Sequence, residues 1–295
     1  MESLLAVGLV VYGLLIGSFL NVVIARVPHG QSIVRPRSRC PKCGHQLSWF
    51  ENIPVFSWLA LRGKCRKCRA PISPRYVIVE LLTGLLFLAC LVRFGWGWEL
   101  LSAVVLVTLL IPLTFIDLEH WILPFELTIP GIVLGVLLSI PLGKERLVDS
   151  AIGVVAGFLA FWLLEIVGRA VFKKEALGGG DKFLLALLGG FLGWQALLGI
   201  VFLSSMQGAL IGGLLLAIRG RAGPAPAPEP TPKPAQKNEE EGDEEDDWVP
   251  GPTNIPFGPW LALAGLEILL IGPWLAERLP LGLGWMITGQ LELGG

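Results

Sequence analysis

Eight predominantly apolar stretches dominate this chain, at residues 3–25, 76–93, 98–116, 125–142, 148–168, 183–194, 196–218 and 257–276. A helix needs about 20 mostly apolar residues to cross the hydrocarbon core of a bilayer, and most of these stretches meet that length. The remaining sequence does not dilute them: 53% of the 295 residues are apolar and the mean hydropathy is +0.67, more than a soluble core requires. The expected fold is an all-α polytopic membrane protein of about eight transmembrane helices. The first stretch begins with Glu2 instead of a basic patch and offers no small-residue cleavage site, so it reads as a retained anchor rather than a secretory signal.

Charge gives the orientation. Residues 26–75 carry Arg26, Arg35, Arg37, Arg39, Lys42, Arg62, Lys64, Arg66, Lys67, Arg69 and Arg75 against a single acid, Glu51. Short loops rich in Lys and Arg stay in the cytoplasm, so this loop is expected inside. With the spans alternating from there, Arg169, Lys173, Lys174, Lys182, Arg219, Arg221, Lys233 and Lys237 also fall inside, and only Arg93, Lys144, Arg146 and Arg278 fall outside. That assignment implies an outside N-terminus.

A carboxylate in or beside hydrocarbon costs several kcal/mol unless it has a partner or a use. Two meet that description. Asp117 ends the third span in PLTFIDLEHWILPFELTIPG, and Asp181 opens the sixth in LGGGDKFLLALLGG. Both fall at the cytoplasmic boundary, so side chains 64 residues apart can meet at one depth. Gly178, Gly179 and Gly180 permit close backbone approach, and Pro124 shapes the start of the fourth span. Two carboxyl groups in a low-dielectric site share one proton. The ionised member can then take a proton from water while its protonated neighbour polarises a peptide carbonyl, which is hydrolysis without an acyl-enzyme. The alternative is that each aspartate caps a helix or marks the water boundary.

The basic loop holds a second constellation, CPKCGHQLSWFENIPVFSWLALRGKCRKC, in which Cys40, Cys43, Cys65 and Cys68 form two C-x-x-C knuckles separated by 21 residues. The spacing suits one tetrahedral Zn²⁺ held by four thiolates, with no open position for a catalytic water. A reducing cytoplasm keeps such thiols from pairing as disulfides. His45 is an alternative ligand, and Cys90, inside a span, is a small apolar core residue. A basic zinc loop also suggests nucleic acid or membrane lipids as partners. Nucleic acid is set aside because the knuckles lack a recognition-helix pattern and the loop is tied to the bilayer at both ends; anionic lipid headgroups remain.

Taken together, GSFLNVVIARVP (17–28), the cysteine loop, PISPRYVIVELLTG (71–84), IDLEHWILP (116–124), GGGD (178–181) and IPFGPWLALAG (255–265) resemble the type IV prepilin peptidases, membrane aspartyl proteases with a GxGD motif. The resemblance implies a bundle of membrane helices in a bacterial inner membrane, with Asp117 and Asp181 as the catalytic pair facing the cytoplasm. It implies type IV prepilins or pseudopilins as substrates, cut after a glycine at the cytoplasmic edge of their hydrophobic helix. Members that keep the cysteine loop also methylate the new N-terminus with S-adenosylmethionine; Gly63 and Lys64 are the candidate residues for that step, with a turn and a lipid-facing cation as the plainer reading. Two positions depart from the usual pattern. Phe125 and Glu126 follow Pro124 where an Asp commonly stands, and the expected Lys lies one residue after Asp181, as Lys182, instead of two. A peptidase without methyl transfer, a proton-coupled transporter and a noncatalytic scaffold are the competing readings.

Other polar residues receive structural expectations. Asn21 bonds across helices, Arg26 snorkels, Glu80 pairs with a loop arginine or meets the substrate amine, and Glu165 and Glu267 bond between helices. Residues 222–254 are expected to form a Pro-rich, acidic, disordered cytoplasmic insert, because eight acids between 239 and 247 repel one another. The resulting order is a first transmembrane helix (1–25), the zinc loop (26–75), the peptidase core (76–221), the insert, and a last helix with its tail (255–295).

Overall fold

A computed structural model describes residues 2–172, 178–219 and 255–278. Nine α-helices lie within them: α1 (Glu2–Arg26), α2 (Phe56–Ala60), α3 (Arg75–Phe94), α4 (Trp98–His120), α5 (Phe125–Ser139), α6 (Lys144–Phe172), α7 (Asp181–Leu192), α8 (Ala196–Arg219) and α9 (Gly258–Arg278). No strand occurs among the described residues; the loop between α1 and α3 has only the isolated bridges Arg39–Gln46 and Lys64–Pro71. Residues 222–254, where the acidic insert is expected, lie outside the described residues.

Seven helices are long and apolar enough to cross a membrane: α1, α3, α4, α5 with the turn that follows it, α6, α8 and α9. The expected count of about eight is met by adding α7, which is apolar but has only 12 residues. At 1.5 Å per residue it measures about 18 Å, well short of the ~30 Å hydrocarbon core. Length is supplied by its neighbour: α7 packs along α6, where the Gly153 and Gly189 backbones come into direct contact and Gly157 meets the Leu185 carbonyl. Glycine at such crossings lets backbones approach where no side chain would fit.

The core is continuous across the bundle. Leu106, Leu110 and Leu113 of α4, Leu184 to Leu188 of α7, Ile200 of α8 and Leu261 of α9 are buried, while Val155, Leu163 and Phe202 face outward. Helices that are apolar all round but buried on one side only are what a bundle in lipid requires.

Polar contacts gather the ends of distant helices on one face. Arg75 at the start of α3 is ion-paired with Glu119 near the end of α4. His29, just past α1, packs edge-on against His120 at 5.3 Å. Lys182 of α7 reaches Glu165 of α6 at 2.8 Å. On the opposite face Arg146 donates to the Phe191 and Leu192 carbonyls at the end of α7. The zinc loop, the end of α4 and the start of α7 therefore share one side of the bundle.

Several expectations are refined here. Asn21 does bond across helices, donating to the Tyr76 carbonyl at 3.0 Å. Glu165 and Glu267 also join helices, through Lys182 and through Gln207. Arg26 does not simply snorkel: it donates to the Ser32 and Pro36 carbonyls and ties the loop to α1. Glu80 takes its hydrogen bond from the Val55 N–H at 2.8 Å in place of a loop arginine. The reason is geometric, since α3 buries Glu80 beside the Gly17 backbone of α1, and Arg75 is already held by Glu119.

Candidate active site

Asp117 lies three residues before the end of α4, and the chain reverses immediately afterwards. Trp121 takes a left-handed conformation (φ 59°) and its N–H closes on the Asp117 carbonyl at 3.0 Å. The reversal brings Leu123 and then Pro124, with α5 starting at Phe125. Leu123 is buried between two glycines: a Cβ at Gly180 would lie 2.7 Å from the Leu123 Cβ, and one at Gly258 would lie 3.4 Å from its Cδ2. These contacts draw the GGG segment ahead of α7 and the first residue of α9 onto the end of α4.

Asp181 is the first residue of α7, and its N–H donates to the Gly178 carbonyl at 3.1 Å. The Gly178 N–H donates to the Asp181 carboxylate, and the Gly258 N–H donates to that of Asp117. Both aspartates are only 6% exposed, and they lie within electrostatic reach of each other. No ion pair engages either one among the described residues. Among the described residues, Lys182 and Arg169 pair with Glu165 and Arg75 pairs with Glu119. Two buried carboxyl groups with no ion-pair partner among the described residues repel each other when both are ionised, and a proton held between them relieves that repulsion. That is the state an acid–base pair needs. The displaced Lys182 belongs to an ion pair with α6 and leaves the site's charge unaltered.

Gly258, Leu123 and Trp121 are site residues that the sequence reading passed over. Gly258 had a signal, its place in IPFGPW, but a glycine there carries no chemistry by itself. Its function is clearance: a Cβ would sit 2.5 Å from Asp117 Oδ2.

The four cysteines also come together. Their Sγ atoms all lie within 4.8 Å of one another, with Cys40–Cys68 at 3.8 Å and Cys43–Cys65 at 3.9 Å. Tetrahedral ligation with Zn–S bonds of about 2.3 Å sets the sulfur edges near 3.8 Å, so the donor set fits zinc. Each knuckle repeats the same scaffold. The Cys40 N–H bonds to the His45 carbonyl and the Gly44 N–H to Cys40; the Cys65 N–H bonds to Ala70 and the Arg69 N–H to Cys65. Backbone N–H groups of Cys43 and Lys42 lower the Cys40 thiol to about 6, and those of Cys68 and Lys67 lower Cys65. A thiolate is the ligand form, so the backbone favours metal. His45 is engaged by Glu51 at 3.2 Å, whose carboxyl the Ser48 N–H and this imidazole hold below its usual range.

Gly63 and Lys64 lie in the second knuckle, apart from the aspartate pair in chain and element. Gly63 has positive φ (65°), is buried, and a Cβ there would be 2.8 Å from the Trp58 ring, so packing accounts for the glycine. Lys64 is exposed.

Two buried carboxyl groups with no ion-pair partner among the described residues, at the same face of an apolar helix bundle as four clustered cysteines, are the arrangement expected of an intramembrane aspartyl peptidase. Comparison with known proteins agrees. Residues 11–94 match the Bacterial Peptidase A24 N-terminal domain and residues 104–213 the Type IV leader peptidase family. A Prepilin leader peptidase/N-methyltransferase of Myxococcus xanthus is 54% identical over 97% of this chain and 96% of its own length. Proteins of the same name from Aeromonas hydrophila (39% identical, 88% of this chain, 89% of theirs) and Pseudomonas aeruginosa (36%, 89% and 89%) are also similar. No solved structure gives a significant match. The chain belongs to the type IV leader peptidase family, as the motifs in its sequence indicate.

Proposed function

We propose that this protein cleaves type IV prepilins or pseudopilins after the glycine that precedes their hydrophobic helix, at the cytoplasmic face of the bacterial inner membrane, and methylates the exposed N-terminus. The observation that carries the peptidase reading is the convergence of Asp117 and Asp181, from α4 and α7, on one end of the bundle with no cation paired to either among the described residues. One carboxylate takes a proton from water as that water attacks the scissile carbonyl. The other, protonated, donates to the carbonyl oxygen and later returns a proton to the leaving amine. Gly258 holds Asp117 through its N–H, and Gly178 holds Asp181 likewise. A pair only one turn from the end of α4 suits a bond at the membrane boundary better than a midplane ion path, which a transporter would use.

The basic loop, with eleven cations against one acid, supports a cytoplasmic location for this face. Zinc on Cys40, Cys43, Cys65 and Cys68 organises the loop. S-adenosylmethionine, when bound, supplies the methyl group; Lys64, one of several exposed cations in this segment, is the candidate partner for its carboxylate, and Gly63 fixes the turn that presents it. Incubating the detergent-solubilised protein with a prepilin and S-adenosylmethionine, followed by mass spectrometry, tests both activities. Loss of the leader mass and gain of one methyl mass are expected; an intact precursor would overturn the reading.

A further inference from the structure

An apolar groove of about 330 Å³ runs between α3, α4 and α9. Its wall on α9 includes Pro259, Leu263 and Leu266, spaced four and three residues apart as one helical face; Ile111 and Phe115 of α4 and Leu82 of α3 complete it. Leu82 and Leu263 are 37% and 40% exposed on the outside of the bundle, so the groove is open to the lipid. One end is lined by residues next to the Asp117 site in the chain: Phe115 is two residues before Asp117, and Pro259 follows Gly258, whose N–H binds that carboxylate. From Pro259 to Ile271 at the far end the wall rises about 18 Å, three turns of a partner helix.

A second observation sets this groove apart from an ordinary lipid-facing surface. Glu267 lines it eight residues beyond Pro259, about 12 Å into the bilayer from the site. Its carboxylate accepts a hydrogen bond from Gln207 Nε2 at 2.5 Å, and the buried Gln207 Oε1 has no partner. The pair itself joins α8 to α9, but the unpartnered Gln207 Oε1 is an acceptor that acyl chains cannot satisfy.

We infer that the groove between α3, α4 and α9 is the lateral docking track for the substrate's hydrophobic helix, delivering the scissile bond at its cytoplasmic end to Asp117. The inference rests on the peptidase reading above. A substrate of that kind keeps its apolar helix in the bilayer while its cleavage site lies at the boundary, so the helix must leave the site sideways along an apolar surface that begins at the aspartates. This groove has that course. The Glu267–Gln207 pair meets a hydroxyl or amide donor on the docked helix about two turns from the cleaved bond, which adds selectivity to apolar packing.

The test uses the full-length protein co-reconstituted with a type IV prepilin in liposomes. A photo-crosslinking residue placed at Leu263 or Ile271 is expected to yield a prepilin adduct, and one placed at Val155, 57% exposed on α6, is not. Leu263→Trp, which fills the groove from an exposed position, is expected to raise KM about tenfold. Its kcat stays within about twofold, as loss of uniform binding requires, and its Tm is unchanged; Val155→Trp alters nothing. Adducts with lipid alone, equal adducts at Val155, or an unaltered KM for Leu263→Trp would overturn the docking track while leaving the peptidase intact. Failure of the unsubstituted protein to cut the prepilin would remove the peptidase reading, and the track with it.

Discussion

The bundle and the zinc loop each collect like groups from distant positions, and they hold them by opposite means. In the bundle, two carboxyl groups are brought together by helix packing: Leu123 lodges against Gly180 and Gly258, and Gly153 against Gly189. On the proposed mechanism a shared proton relieves their repulsion. In the loop, short backbone hydrogen bonds within each knuckle place its thiols, and the four together fit a tetrahedral metal ion that would relieve their repulsion. The bundle is therefore sensitive to volume at helix contacts, whereas the loop is sensitive to ligand identity and metal supply. The two meet where Glu80 accepts the Val55 N–H and Arg26 grips the Ser32 and Pro36 carbonyls. Val55 holds φ 63° there, a strained value for a β-branched residue, so the surrounding contacts must over-determine it.

The largest expected effect separates the two regions cleanly. Asp117→Asn or Asp181→Asn lowers prepilin cleavage by about 10³-fold or more, while zinc content, measured by mass spectrometry of the intact protein, stays at one ion per chain. The reverse experiment is smaller on cleavage. Cys65→Ser or prolonged chelation removes the metal and opens residues 40–68 to protease, and methyl transfer falls with it; cleavage falls less than about tenfold, because structural zinc stabilises the loop and does not polarise the peptide. If cleavage were lost as completely as with the aspartates, the two regions would not be separable.

Next comes clearance at the site. Gly258→Ala puts a methyl group 2.5 Å from Asp117 Oδ2 and displaces the carboxylate. A shift of that order costs about 10²-fold in kcat, with little change in KM or in thermal stability, since the affected contact lies at the start of α9. The smallest effect concerns knuckle symmetry. Gly44 and Arg69 occupy equivalent places after their cysteine pairs, at φ 69° and 58°. Arginine there carries left-handed strain that glycine does not, so Arg69→Gly tightens zinc by about 0.5 kcal/mol, read as roughly twofold in a chelator competition.

Much of the bundle was legible because lipid imposes one rule on every span. The stretch at 76–93 differs from α3 by a single residue at each end, and that at 196–218 differs from α8 by one residue at its end only. The cysteines were legible because C-x-x-C spacing is local, and the two aspartates because an acid beside hydrocarbon needs a reason. What escaped depends on contacts between distant segments. Nothing near Glu80 in sequence points to the Val55 N–H, and nothing near Gly258 points to Asp117. Trp121 gave no turn signal either, because a left-handed tryptophan is held by its surroundings and not by its own preference.

The central claim is that Asp117 and Asp181 act as one unit, and a comparison of residual rates tests it directly. Cleavage of a reconstituted prepilin, quantified by mass spectrometry, is measured for Asp117→Asn, Asp181→Asn and the double variant. A shared-proton pair predicts that all three retain the same residual rate within about threefold, since removing either member abolishes the unit. A double variant slower by the product of the two single losses, or a single variant retaining more than about 5% of the parent rate, would contradict it.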